Sequence, residues 1–283
     1  MLTKNYLAIY AKSFNWAGFF LPKKTYDKCS ALYDFCRVVD NIADEENEVE
    51  IKKNNFSKFK NNFINQNYDD PVIKNMWDII NEYNISIKII DDLFEGISTD
   101  IKDKVEFSSK KELLIYSYRV AGTVGLMMAK ILQVNKRQSL KSAIDLGIAM
   151  QLTNISRDVV EDKKNNRFYI NENFENIETT IKLSEKFYKS AFFSIKEIPL
   201  GFRFSILVAR RVYKKIGYKI LNKKNLENYK RSGKIYVSNI EKIIETFLSI
   251  FDLIILSITS KNDDNTIHDH TLINEEINLD ERI

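Results

Sequence analysis

The chain has 283 residues, 44% of them hydrophobic and 29% charged, with 43 basic against 39 acidic side chains and a net charge of +4. That near-balance gives no basic surface of the kind nucleic acid demands, and at most a mild preference for anionic ligands or a lipid surface. With eight glycines and three prolines (Pro22, Pro71, Pro199) the chain has few natural linkers, so one helical domain is expected.

Apolar residues recur at three- and four-residue steps almost throughout, and strand-like alternation is absent. Residues 26–44 carry Cys29, Leu32, Tyr33, Cys36, Val39 and Ala43 in that register. Shorter amphipathic helices are expected over 48–65, 72–83 and 86–101. Ser109 and Glu112 have capping-box spacing for a helix running to Leu132. Inside it Gly122 and Gly125 each cost roughly 1 kcal/mol relative to alanine. They mark either close helix packing or a place where a bulky chain passes or the helix kinks. Helices over 139–161, 179–195, 202–221 and 237–258 complete the set. The organisation expected is a body over 1–260 and a polar, disordered tail over 261–283.

Cys29 and Cys36 are seven residues apart, roughly 10 Å along a helix, too far for a disulfide that needs Cα atoms within about 7 Å. Free thiols are expected. No basic segment followed by an apolar stretch opens the chain, so no secretory signal is expected. The longest apolar run, 247–258, is interrupted by Asp252 and is shorter than the ~20 residues that span a bilayer. It belongs in the core, or in a lipid interface with Lys230, Arg231, Lys234 and Lys242 nearby. A cytoplasmic chain with weak, salt-sensitive attachment to the inner membrane surface is the expectation.

Two aspartate pairs carry the chemistry. Asp40 and Asp44 lie in Asp34-Phe-Cys-Arg-Val-Val-Asp-Asn-Ile-Ala-Asp-Glu45, and Asp158 and Asp162 in Gln151-Leu-Thr-Asn-Ile-Ser-Arg-Asp-Val-Val-Glu-Asp162. Spacing of i,i+4 puts both carboxylates of a pair on one helix face, where like charges cost a few tenths of a kcal/mol. One such pair is most simply a solvated acidic face. Here each has an arginine close upstream, Arg37 or Arg157, and apolar neighbours that turn it toward an interior. A divalent cation removes the repulsion, and Mg²⁺ is commonly held by one or two carboxylates plus substrate phosphates. Removing one carboxylate is accordingly expected to be neutral or slightly stabilising without metal.

These stretches, together with Tyr116-Ser-Tyr-Arg-Val-Ala-Gly-Thr-Val-Gly-Leu-Met-Met128, Asn166-Arg-Phe-Tyr-Ile170 and Ala11-Lys-Ser-Phe14, resemble the squalene and phytoene synthases. Those enzymes join two prenyl diphosphates head to head. The resemblance runs in order from about Tyr10 to Val237 and looks most like the bacterial phytoene synthases.

The resemblance implies an all-α, single-domain isoprenoid-synthase-type bundle around a central apolar cavity, with the aspartate pairs facing across its mouth. It implies condensation of two geranylgeranyl diphosphates to phytoene through a cyclopropyl (prephytoene) diphosphate, with release of two pyrophosphates. The alternatives are squalene or dehydrosqualene synthesis from farnesyl diphosphate, or a non-catalytic scaffold. Asp40, Asp44, Asp158 and Asp162 would be the catalytic metal ligands, with Asn154 as a neutral one. The metal would be Mg²⁺, with Mn²⁺ as the other candidate, and NADPH is not expected. Ser13, Phe14, Tyr33, Arg37, Gln151 and Arg157 would meet the substrate. Tyr116, Val120 and Gly125 belong to the segment that lines the family's prenyl tunnel. Arg167 and Tyr169 match its flap, and Tyr213 a tyrosine near the substrate. Arg231 or Lys234 would reach the diphosphate, with the choice left open.

The tyrosines also read as ordinary core packing, and Arg167 as a surface charge. Ala11 and Val160 stand where many members have serine and glycine. His268 and His270, the only histidines, lie in the expected tail and read as solvated. That and the lack of a nucleophile elbow, P-loop or dinucleotide fingerprint leave other chemistries little support.

Overall fold

The computed structural model describes residues 12–45, 47–259 and 269–283, so Ala11 and His268 lie outside the described residues. In chain order the helices are α1 (Lys12–Gly18), α2 (Lys23–Asp44), α3 (Val49–Ile64), α4 (Pro71–Tyr83), α5 (Ile87–Asp100), α6 (Lys110–Ser117) and α7 (Thr123–Ile131). They continue with α8 (Arg137–Lys164), α9 (Phe174–Ser194), α10 (Leu200–Leu221), α11 (Leu226–Arg231), α12 (Asn239–Ile258) and α13 (Asp269–Asn274). Helical periodicity thus becomes an almost wholly helical fold.

The caps are local and chemical. Asp70 accepts from the Val72 amide at 2.8 Å with Pro71 at the first position of α4. Ser109 and Glu112 close the expected capping box on α6, and Ser238 and Glu241 close a second on α12.

The 28-residue α8 lies at the centre, buried on most sides from Ser139 to Val159 and packed by α6, α7, α9 and α10. Under α2, Phe35 meets Phe59, Phe63 and Phe94 at ring-centroid distances of 5.9, 5.3 and 6.1 Å. This cluster holds the first aspartate helix from behind.

Between α6 and α7 the helix continues through a π turn at Tyr118–Gly122. Such single π turns mark functional sites more often than chance. Close packing explains the glycines that follow. A Cβ on Gly125 would stand 2.3 Å from the Ala143 carbonyl oxygen, and one on Gly147 2.2 Å from that of Ala121. The missing side chains let α7 and α8 touch backbone to backbone, so Gly125 does not open a passage for substrate.

One small sheet breaks the expectation of no strands. β1 (Val105–Glu106) runs parallel to β2 (Arg167–Phe168), pairing Val105 with Arg167 and Glu106 with Phe168. It ties the loop after α8 to the loop after α5.

Two regions depart from the sequence reading. Residues 269–283 are packed rather than disordered: Ile273, Ile277 and Leu279 are buried, and so is His270, which bonds to Asp145 of α8. Arg282 makes a bidentate contact with buried Asp92 of α5 at 2.9 and 3.1 Å. Specific pairing, invisible to a composition argument, orders a polar segment.

The second departure is α12, which is inside out. Its buried positions are Lys242, Glu245, Ser249, Asp252 and Leu256. Ten apolar side chains face solvent instead, Phe247 at 63% and Phe251 at 60% exposure among them. Arg211 of α10 accounts for the inversion: it donates to Asp252 at 2.6 and 2.8 Å and to Glu245 at 3.4 Å. Buried carboxylates need such partners, and they turn the apolar face away from the core where it was expected. Among the described residues no helix is long and apolar enough to cross a membrane.

Candidate active site

The first pair sits at the C-terminal end of α2. Arg37 donates to Asp40 at 2.5 Å and stands 3.9 Å from Asp44. Burial, then the charge of Asp44, push the Asp40 carboxyl up to about 7. Tyr33, one turn earlier, shares this environment, and burial followed by the neighbouring Tyr213 raises its pKa.

The second pair sits near the end of α8. Arg157 chelates Asp158, Nε to Oδ1 at 2.9 Å and Nη2 to Oδ2 at 2.5 Å. Burial opposes the charge of Arg157, yet these bonds hold its pKa above the ordinary value. Asp162 has no such chelate; burial, then Asp158, push its carboxyl up to about 8.

Asp100 and Arg167 join the two clusters. Arg167 donates to Asp44 at 2.8 Å and to the carbonyls of Ala43 and Asp100 at 3.2 and 3.3 Å. Buried Asp100 accepts from Tyr116 at 2.7 Å and from Tyr169 at 2.6 Å, and the two rings stack at 4.7 Å. Both Asp100 and Arg167 act electrostatically on Asp40 and on Asp162, so the two pairs share one compartment. Tyr116 and Tyr169 therefore support this compartment as well as pack.

Other expected residues gather around it. Tyr213 of α10 lies 4.9 Å from Phe14 of α1, ring to ring, and interacts with Arg157 and Asp158. Ser13 is half-buried beside Phe14, and Val120 of the π turn packs against Gly96 of α5. Gln151 accepts a long 3.4 Å bond from Asn154. Of Arg231 and Lys234, it is Lys234 that lies beside the second pair: it stands 3.6 Å from Asp158 and donates to Glu161 at 2.6 Å. Arg231 is turned to solvent and paired with Glu227.

Two contributors escaped the sequence reading. Asp100 falls on the buried stripe of α5 that also carries Ile89, Leu93 and Ile97, and an acid in that register was the available signal. Tyr229 donates to the carbonyls of Ser156 and Arg157 at 3.0 and 2.6 Å, fixing α11 against the second pair.

Among the described residues, no three histidine, cysteine or acidic side chains stand as a ready cation cage. The arginines hold the carboxylates instead. The donor set nonetheless fits a hard divalent ion: carboxylates in excess, two of them pushed toward the protonated form, and the Asn154 amide oxygen buried without a hydrogen-bond partner. The pocket beside Asp162, lined by Ile155, Val159, Arg167 and Tyr169 among others, has a volume of about 10 Å³.

A helical body that brings two aspartate–arginine clusters into one compartment is the architecture of a prenyl-transferring enzyme. The chain belongs to the squalene/phytoene synthase family, whose model matches residues 7–174. It is 29% identical over 253 residues to the 15-cis-phytoene synthase of Pantoea ananas, covering 76% of this chain and 80% of that one. With the phytoene synthase of Cereibacter sphaeroides it shares 27% over 241 residues, 74% of this chain and 68% of the relative. The crystal structure of a dehydrosqualene synthase in complex with ligand is similar with a TM-score of 0.75 and 25% identity, covering 88% of this chain and 94% of that one.

Proposed function

We propose that the protein condenses two geranylgeranyl diphosphates head to head into phytoene, through a cyclopropyl diphosphate and with loss of two pyrophosphates, as a step of carotenoid biosynthesis. The observation that carries this is the shared compartment of the two aspartate pairs, with Arg37, Arg157, Arg167 and Lys234 around it. Similarity to phytoene synthases supports the product.

Each of the two ionisations sheds a diphosphate, and the charge that develops on it needs fixed positive partners. Arg37, Arg157, Arg167 and Lys234 supply them by exchanging their present carboxylate contacts for phosphate oxygens. Asp40, Asp44, Asp158, Asp162 and Asn154 would hold Mg²⁺, which supplies Lewis-acid stabilisation of the leaving group. Phe14, Tyr213 and Val120 give apolar and aromatic walls that keep water from the allylic cation. Asp100 orients the Tyr116 and Tyr169 hydroxyls at the edge of the compartment. Phytoene formation consumes no reductant. The working location that accompanies this reading is the cytoplasm, with lipid-soluble substrates and product nearby.

Likeness to a dehydrosqualene synthase structure favours one second reading, in which farnesyl diphosphate is the substrate. Incubation with each diphosphate and Mg²⁺, with and without NADPH, followed by hydrocarbon analysis, separates them. Phytoene from geranylgeranyl diphosphate is expected. A C30 product from farnesyl diphosphate alone would overturn the chain-length assignment, and a reduced product requiring NADPH would make the enzyme a squalene synthase.

A further inference from the structure

We infer that the outward face of α12 is a membrane-docking surface that works by apolar insertion rather than by charge. From the proposed reaction it uses only the lipid solubility of the substrates. The exposed stripe runs through Ile240, Ile244, Phe247, Phe251, Ile254 and Ile258, the whole length of the helix. Every exposed position of α12 is apolar except Asn239 and Ser257. Solvated monomers rarely leave so continuous an apolar face bare.

The polar side that a surface-seeking helix normally shows to water is used inward here. Glu245 and Asp252 are taken up by Arg211, Thr246 accepts from the Trp16 indole at 2.9 Å, and the Lys242 ammonium lies 6.0 Å over that ring. The face is therefore formed before it meets a partner, and no folding cost attaches to docking.

The chemistry of the face selects a bilayer. A second copy of the chain would need far more surface: a helix of 20 residues is about 30 Å long and about 10 Å wide, roughly 300 Å² of footprint. A stable protein interface buries about 800 Å² per partner and carries about one hydrogen bond per 100–200 Å². This stripe has almost no donors or acceptors with which to set a register. A lipid interface asks for none, and an in-plane helix sinks its apolar face about 5–10 Å into it.

The basic residues that would have made attachment electrostatic are already occupied. Lys230 pairs with Glu172, Arg231 with Glu227 and Lys234 with Glu161, and Lys242 is buried. Attachment through the apolar stripe should thus be insensitive to salt, where the sequence reading expects salt sensitivity. The surface also sits one helix from the chemistry: α10 grips α12 through Arg211 and carries Tyr213 toward Phe14.

Flotation of the full chain with neutral phosphatidylcholine vesicles tests this. The protein is expected to rise with the vesicles at low salt and equally at about 1 M salt, where charges beyond about 3 Å are screened. The triple variant Phe247→Ser, Phe251→Ser, Ile254→Ser should lose more than about tenfold in bound fraction, since each side chain removed is a fully apolar anchor. It should still turn over detergent-dispersed substrate. Wild-type protein that stays at the bottom, or floats only with anionic lipid at low salt, overturns the proposal. So does a concentration-dependent dimer that the triple variant dissolves without any flotation, which would give the face to a second copy. Flotation without turnover of either diphosphate would leave the surface standing and remove the proposed reaction.

Discussion

Arg167 and Asp44, 123 residues apart, meet at 2.8 Å and so bind the loop that follows the second aspartate pair to the helix that carries the first. The same guanidinium reaches the Ala43 and Asp100 carbonyls, which makes it the keystone of the compartment when no metal is present. Arg167→Ala is expected to lower kcat by roughly 10²-fold, the scale of losing one charged transition-state donor. It should also lower Tm by several degrees in EDTA, about 1–3 kcal/mol, because Asp44 loses its nearest cation and the Ala43 and Asp100 carbonyls lose a donor. Mg²⁺ should restore most of that stability and little of the rate. Pyrophosphate release and thermal melts with and without metal decide it; a stability loss that Mg²⁺ leaves untouched would reject Arg167 as a stand-in for the cation.

The four aspartates are not equivalent. Burial, then the charge of Asp158, push the Asp162 carboxyl up to about 8, whereas Asp158 is chelated by Arg157. In metal-free buffer Asp162→Asn should raise Tm, since a repelled carboxylate is removed. Asp158→Ala should lower it, at a cost of about 1–3 kcal/mol in stability, because it strands the partly buried guanidinium of Arg157. Both variants should lose turnover. Paired melts in EDTA test the contrast, and equal shifts would show that the arginine does not distinguish the two positions. The contacts thus set opposite expectations for two positions that spacing alone treats alike.

That contrast shows where sequence reading stops. The helices, the capping box at Ser109 and both aspartate faces follow from spacing, because i,i+4 geometry is local. Which arginine holds which aspartate depends on rotamers and on a loop closing over the site, so the Arg167–Asp44 contact has no local signature. Asp100 carries no motif, because one acid closing an apolar stretch looks like a helix end. The inversion of α12 is hidden for the opposite reason: its apolar run looks like core, and only the fold brings Arg211 of α10 to Glu245 and Asp252. The tail composition reads as disorder, yet a few apolar residues at Ile273, Ile277 and Leu279 suffice once ion pairs set their place.

The C-terminal segment is expected to be structural rather than dispensable. Arg282 and Tyr118 both bond to Asp92, so the chain end buttresses the π turn. Arg282→Met should cost about 2 kcal/mol by leaving the buried Asp92 carboxylate with a single neutral donor. The double variant Arg282→Met, Asp92→Asn should recover part of that loss, because no buried charge then lacks a partner. Denaturant titration of the single and double variants measures the coupling; strictly additive effects would mean the contact carries no energy.

The start of α12 carries a pH dependence of known sign. Burial alone would raise the Glu241 pKa, but the Lys219 ammonium at 2.7 Å and the Ser238 amide at 2.8 Å bring it down to about 2, from an ordinary 4.5. A carboxylate depressed in the folded state stabilises it above the unfolded value, and that contribution is lost as pH falls through the folded one. Glu241→Gln should therefore lower Tm at neutral pH by a few degrees, about 1 kcal/mol for a cap and its ion pair. The gap between wild type and variant should stay constant down to about pH 4.5 and close progressively toward pH 2. Melting curves across that window give the answer, and a gap that widens on acidification would mean Glu241 is held protonated at the helix start instead of serving as its charged cap.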